Sequence, residues 1–242
     1  MEDIVFISDL HLMPKRPETM ELFINFIDDV ASKADTLYIL GDFLEIWWGD
    51  DEPATGYAEV FKKLAELGSK HNTKVYLMHG NRDFMIGQDL AARCNFEIIQ
   101  DPHKITLQGR EALLMHGDTL CIDDIEYQKF RQMVRNPLWQ QQVLTKSLEE
   151  RYQLAQSIRD SSKQTTSEKA EYIMDVNQGE IERVFTDNNI DLIIHGHTHR
   201  PAIHRETING VETTRIVLSD WHDTAKYLRV NDASEYELLT YG

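Results

Sequence analysis

Short apolar runs punctuate the chain at Ile4–Ile7, Leu37–Leu40, Val75–Met78, Ala112–Met115, Leu192–Ile194 and Ile216–Leu218. Several are rich in β-branched residues and close on Gly, Asp or Asn, the pattern of buried strands. Between them the period lengthens. Pro17, at a first-turn position, opens a helical pattern with apolar residues at Met20, Phe23, Ile27 and Val30, and Gly56–Lys70 repeats it at Val60, Leu64 and Leu67. Strand and helix alternate through the first half, which predicts an α/β domain.

From Glu126 to Lys169 the strand pattern stops. Leu144, Leu148, Tyr152 and Ala155 fall at i, i+4, i+8 and i+11, predicting one amphipathic helix, with Asn136-Pro137 as a break before it. The chain therefore divides into a core of residues 1–125 and 176–242 and a helical insertion over 126–175. Within the insertion, Ser161 to Ser167 reads as a polar linker or substrate-facing loop. Trp47 and Trp48 are expected to pack beneath the strand ends.

Composition narrows the classes. The 242 residues are 41% apolar and 27% charged, enough for one sizeable core. A formal charge of −16 argues against general affinity for nucleic acid. The acidity is uneven: residues 126–170 hold eight Lys/Arg and five Asp/Glu, a local +3. Two cysteines, Cys94 and Cys121, make no disulfide framework and fit a reducing compartment. The start, Met1-Glu2-Asp3 followed by an apolar run, differs from a secretory signal, and no apolar run approaches the ~20 residues of a membrane span. Any membrane role is thus expected to be peripheral.

Five apolar runs end in residues able to bind metal: Asp9-Leu10-His11, Gly41-Asp42, Gly80-Asn81-Arg82-Asp83, His116-Gly117-Asp118 and His195-Gly196-His197-Thr198-His199. Loops beyond the carboxyl ends of strands in an α/β sheet converge on one crevice, so residues distant in sequence can meet there. Each motif alone is weak, and their repetition in the same context carries the inference. Two Asp, one Asn and four His, without sulfur, are too many for a tetrahedral structural zinc. They suit two borderline-hard divalent cations such as Mn²⁺ with one bridging carboxylate. Two such ions carry +4 against two carboxylates, leaving about +2 to attract a phosphate despite the acidic surroundings.

At these residues, from Asp9 to His199, the chain resembles the calcineurin-like metallophosphoesterases, whose motifs D-x-H, G-D, G-N-H-D/E, H and G-H-x-H occur in this order. The resemblance implies an αββα sandwich with the insertion as a cap. It implies that Asp9, His11 and His199 hold one ion and Asn81, His116 and His197 the other, with Asp42 bridging and His195 supporting its loop. Asp42, Asn81, Arg82 and His116 are the implied catalytic group. Arg82 is a departure, because the wider family has His there to protonate or stabilise a leaving oxygen. A phosphate monoester leaves without a proton and needs only charge stabilisation, so Arg82 points to pyrophosphate cleavage. The plain alternative is an ion pair of Arg82 with Asp83 or Glu45.

The stretches Gly80–Phe84 and Gly41–Trp47, with the insertion, are similar to a narrower group, the UDP-2,3-diacylglucosamine pyrophosphatases of bacterial lipid A biosynthesis. That similarity implies Mn²⁺-dependent hydrolysis at the α phosphorus, yielding UMP and 2,3-diacylglucosamine 1-phosphate. It also implies a cytoplasmic enzyme bound peripherally to the inner membrane, with no nucleic acid and no obligate protein partner. Asn81, Arg82, Asp124, Ser162, Thr166, Lys169 and His197 match the group's substrate contacts. Tyr127, Phe130, Met133, Val134, Leu138, Trp139, Leu144, Leu148, Tyr152 and Met174 would line an acyl cleft, with Arg159, Lys163 and Lys169 near the headgroup. Two other readings stand beside this one: the same ions acting on a phosphodiester, nucleotide or phosphoprotein, and a non-catalytic scaffold, against which all seven ligands are retained. Cys121 is assigned no role.

Overall fold

The structure, a computed structural model, describes residues 2–168, 173, 175–231 and 236–242, with the backbone alone over 159–168. Four parallel strands, β1 (Ile4–Ile7), β2 (Thr36–Leu40), β3 (Lys74–Met78) and β4 (Glu97–Ile99), lie side by side. Antiparallel β10 (Ala225–Val230) and β11 (Glu237–Tyr241) extend that sheet from β1. The second sheet runs in the order β5 (His103–Leu107), β6 (Arg110–Met115), β7 (Leu192–His195), β9 (Val211–Val217) and β8 (Ala202–Ile208). Its three inner strands, β6, β7 and β9, are parallel.

Alternation along the strands sets the layers. Ile4, Phe6, Tyr38, Leu40 and Met78 meet Leu114, Ile194 and Ile216 between the two sheets. Val5, Ile7, Leu37, Ile39, Val75 and Leu77 point the other way, onto α1 (Pro17–Asp29), α2 (Ala58–Glu66) and α3 (Gln88–Cys94). Leu113, Met115 and Ile193 pack on Ile181, Val184 and Phe185 of α7 (Gln178–Asn188). The result is the αββα sandwich expected. Because the central strands are covered on both faces, they appear in sequence as continuous apolar runs. The polar edge strand β8, with His204, Arg205 and Glu206, carries no such run and escapes that reading, as does the alternating β5.

The insertion departs from expectation in two ways. Its helices are α4 (Ile125–Val134), α5 (Pro137–Leu144) and α6 (Leu148–Glu168), so the stripe from Leu144 to Ala155 belongs to two helices. The reason is a capping box: the Ser147 N–H and hydroxyl both donate to Glu150 Oε2 at 2.8 Å, and Glu150 N–H donates back to Ser147 Oγ at 3.3 Å. The second correction is that residues 161–167 continue the backbone of α6 instead of forming a loop. They contain neither Gly nor Pro, and Ser, Thr and Gln cost a helix only a few tenths of a kcal/mol each. Lys169 and Met174 lie outside the described residues, as do the side chains of Arg159, Ser162, Lys163 and Thr166.

A separate apolar cluster fastens these helices to the core. Trp48, Phe84 and Met85 from the loops after β2 and β3 meet Val134, Val143 and Ala155, with Phe130 and Trp139 against them. Trp48 and Phe84 pack edge to face at 5.8 Å between ring centres. Trp47 parts from its neighbour and packs in the helix layer on Tyr57 and Phe61. Arg151, only 4% exposed, donates to the carbonyls of Trp48 (3.2 Å), Lys146 (3.0 Å) and Leu144 (2.7 Å) and to Asp51 Oδ1 (2.5 Å). Gly49, at φ +137°, leaves room for that guanidinium: a Cβ there would stand 2.7 Å from Arg151 Nη1.

Candidate active site

Five strands, three from one sheet and two from the other, end at one place: β1, β2, β3, β6 and β7. Beyond β1 and β2 the backbone stays in register, with Asp9 N–H donating to Gly41 O (3.0 Å), His11 N–H to Asp42 O (2.9 Å) and Leu12 N–H to Phe43 O (3.0 Å). Asp83 joins β2 and β3 by accepting the N–H groups of Phe43 (2.8 Å), Leu44 (3.3 Å) and Gly80 (2.8 Å). The loops approach too closely for side chains at Gly41 and Gly80. A Cβ on Gly41 would lie 2.4 Å from His116 Nδ1, and one on Gly80 2.0 Å from Asp42 Oδ1. Asp9, His11, Asp42, His197 and His199 all adopt positive φ, between 48° and 69°, which is uncommon for residues with a Cβ. Such conformations cluster where surrounding structure enforces them for function.

The seven expected donors converge in two groups. His199 Nε2 lies 3.3 Å from Asp9 Oδ1 and 3.5 Å from His11 Nε2, which is 3.7 Å from Asp42 Oδ2. In the other group Asn81 Oδ1 is 3.0 Å from both His116 Nε2 and His197 Nδ1. His116 Nε2 is 3.9 Å from Asp42 Oδ1, so the two oxygens of Asp42 face different groups. Asp9 Oδ1 is buried without a hydrogen-bond partner. A buried carboxylate oxygen surrounded by imidazole nitrogens at 3.3 and 4.0 Å fits a cation with bonds of about 2.0–2.2 Å.

Without a cation these groups bias one another strongly. Burial alone would raise Asp9, but contact with His199 and the charges of His116 and His11 hold it well below the usual carboxylate range. Against its own burial, His116 is pushed up to about 9 by Asp42, Asp118 and Asp9. His199 is pushed up to about 10 by Asp220 and Asp9, again against burial. Burial and His116 push His197 down to about 4. His195 is not among the converging donors: its Nε2 is 3.2 Å from Arg215 Nη1 and its Nδ1 2.9 Å from Gly196 O. It braces the loop that presents His197 and His199.

Arg82 donates its backbone N–H to Asp42 Oδ1 at 2.8 Å, and its buried side-chain Nε has no hydrogen-bond partner. Asp83 is filled by the three backbone donors and Glu45 Oε2 faces His11 Nδ1 at 3.0 Å, which disfavours the plain ion-pair reading. Asp124 accepts the Tyr127 N–H at 3.1 Å as the N-cap of α4.

The sequence assigns Tyr127 to an acyl cleft and gives Arg131 and Arg135 no role, whereas the structure turns all three toward the site loops. Tyr127, Arg131 and Arg135 recur every four residues and all reach the site loops. The Tyr127 hydroxyl donates to Asp118 Oδ2 at 2.6 Å, and its ring stacks on His197 at 5.8 Å between centres. Arg131 Nε donates to the same oxygen at 2.8 Å, and its Nη2 pairs with Asp101 Oδ2 at 3.3 Å. Arg135 donates to the carbonyls of His79 (3.1 Å) and Gly80 (2.9 Å), just before Asn81. Together with Arg151, these arginines account for three of the insertion's basic groups, and they are tied to the core.

Both cysteines are buried, and burial pushes each thiol up to about 12. Neither is expected to react with iodoacetamide at pH 8 in the native state, which mass spectrometry of alkylated folded and unfolded protein checks. Among the described residues no helix is long and apolar enough to cross a membrane.

The calcineurin-like phosphoesterase profile matches residues 3–201. A UDP-2,3-diacylglucosamine hydrolase of Hahella chejuensis is 46% identical over 97% of this chain and 96% of its own length. The protein of the same name from Stenotrophomonas maltophilia is 45% identical over 98% and 97%. Among solved structures, an archaeal phosphodiesterase superposes with a TM-score of 0.50 at 14% identity, covering 98% of this chain and 99% of that one, a likeness of fold.

Proposed function

The chain belongs to the calcineurin-like phosphoesterases, and from that premise we propose that it hydrolyses the pyrophosphate of UDP-2,3-diacylglucosamine at the α phosphorus, releasing UMP and 2,3-diacylglucosamine 1-phosphate. The single observation carrying the reading is Asp42, whose Oδ2 faces the Asp9, His11 and His199 donors while its Oδ1 faces His116 beside Asn81 and His197. That arrangement suits a pair of cations sharing one carboxylate, and oxygen and imidazole donors suit Mn²⁺. When bound, the pair supplies Lewis-acid charge to the phosphate oxygens and acidifies water at neutral pH.

The rest of the chemistry belongs to this chain. Asp9 and Asp42 offer the fixed negative charge that holds the cations, and Asn81, His116 and His197 complete the second group. Arg82, anchored through its N–H to Asp42, places a permanent positive charge where the departing phosphate gathers negative charge. No proton needs to be delivered to that leaving group, so an arginine serves where an alkoxide would require an acid. Tyr127, stacked on His197, keeps water from that side of the ring. Residues 126–175 act as the acyl cap, and Met133, Leu138, Leu144 and Tyr152 are exposed apolar side chains on it, available to chains worth ~0.8 kcal/mol per buried CH₂. A substrate of this kind places the protein peripherally at the cytoplasmic face of the inner membrane.

The experiment is hydrolysis of UDP-2,3-diacylglucosamine by the Mn²⁺-loaded protein in ¹⁸O water. The expected products are ¹⁸O-labelled UMP and unlabelled lipid phosphate, with bis(p-nitrophenyl) phosphate turned over far more slowly. Faster turnover of the simple diester, or no UMP from folded, metal-loaded protein, overturns the substrate assignment.

A further inference from the structure

Each histidine donor has a second ring nitrogen, and the two groups differ in what meets it. His11 Nδ1 lies 3.0 Å from Glu45 Oε2, and His199 Nδ1 lies 3.3 Å from Asp220 Oδ2. In the other group His116 Nδ1 is 2.9 Å from the Leu40 carbonyl. His197 uses its Nδ1 within the donor group, toward Asn81, and Tyr127 lies against its ring. Carboxylates therefore stand behind both imidazoles of the Asp9 group, whereas a backbone carbonyl stands behind His116 in the other.

The backbone holds both carboxylates in place. Glu45 arrives because the parallel pairing of the loops after β1 and β2 continues to it, its N–H donating to Leu12 O at 3.0 Å. Asp220 follows β9 in a loop tied down by Leu218 N–H to His195 O (2.7 Å) and Trp221 N–H to Asp9 O (3.3 Å). His222 Nε2 meets the same Asp220 oxygen at 2.8 Å. The Glu45 and Asp220 side chains are 12% and 21% exposed, so bulk water screens them little. The carboxylate behind the other group, Asp118, is already paired with Arg131.

We propose that Glu45 and Asp220 are positioning residues that make the Asp9, His11 and His199 group the tighter of two cation subsites, so that the first Mn²⁺ enters there and the second fills the Asn81, His116 and His197 group. This rests on the two-cation reading above. A carboxylate standing this close to Nδ1 favours the tautomer with the proton there and strengthens Nε2 as a donor, and loss of such a partner typically costs about 10–100-fold in metal affinity. A carbonyl orients the ring but lacks the full charge.

The test is titration of the metal-free, full-length chain with Mn²⁺ alone, followed by the electron paramagnetic resonance of free aqueous Mn²⁺. The wild-type chain is expected to bind in two separated steps. Glu45→Gln and Asp220→Asn should each weaken the tighter step by about 10–100-fold and leave the weaker step within about threefold. His197→Ala should remove the weaker step and keep the tighter one. The inference is overturned if the tighter step is unchanged in both carboxylate variants, if both steps weaken together as a merely structural role requires, or if His197→Ala abolishes the tighter step. Uptake of fewer than two ions by the wild-type chain overturns the two-cation reading itself, and this inference with it.

Discussion

Replacing Asp42 by alanine is expected to lower kcat for UMP release by about 10³-fold, equivalent to about 4 kcal/mol of transition-state stabilisation. The size follows from its position, since its two oxygens face both donor groups and a third contact fixes the Arg82 N–H. Asp83 cannot take its place, because it is filled by backbone N–H groups, and Asp9 Oδ1 already serves His11 and His199. Steady-state kinetics with Mn²⁺ in excess, together with elemental analysis of the desalted protein, checks both halves. The variant should retain fewer than two ions per chain. A variant that keeps near-normal kcat would remove Asp42 from its central role.

The second large effect is on stability. Arg131→Leu should destabilise the fold by about 3–5 kcal/mol, the usual cost of removing one partner of a buried ion pair. Asp118 has no exposed surface, and its charge is held well below the usual carboxylate range by His116 and Arg131 against the cost of burial. Leucine would leave it with the Tyr127 hydroxyl and its neighbouring histidine, and would strip Asp101 of its guanidinium partner. Urea unfolding measures this as a lower midpoint with an unchanged slope. An unchanged midpoint would mean that the α4 clamp contributes no net stability.

The difference between these two residues shows what a sequence displays. Asp42 is legible because its signal is local: an apolar run, then Gly-Asp, repeated in kind at four other strand ends. The sandwich is legible for the same reason, since strands covered on both faces appear as unbroken apolar runs. Arg131 is not legible in this way. Its partners Asp101 and Asp118 are separated from it by 30 and 13 residues, and only folding brings the three together. One trace does exist in the Tyr127, Arg131, Arg135 spacing of four on a single helix face, but the same spacing describes any solvated basic stripe. Glu45 lies inside the Gly41–Trp47 stretch and Asp220 beyond the last motif, and the roles of both emerge only from the backbone pairing that carries them to His11 and His199. The break between α5 and α6 is marked by Ser147-x-x-Glu150, but the apolar period from Leu144 to Ala155 spans it and predicts one continuous helix.

The most direct measurement is diffraction from crystals grown with Mn²⁺, with data collected at the manganese absorption edge. The account predicts two anomalous peaks, one among Asp9, His11 and His199 and one among Asn81, His116 and His197, with Asp42 between them. A single peak, or peaks away from these side chains in protein saturated with the ion, would contradict it.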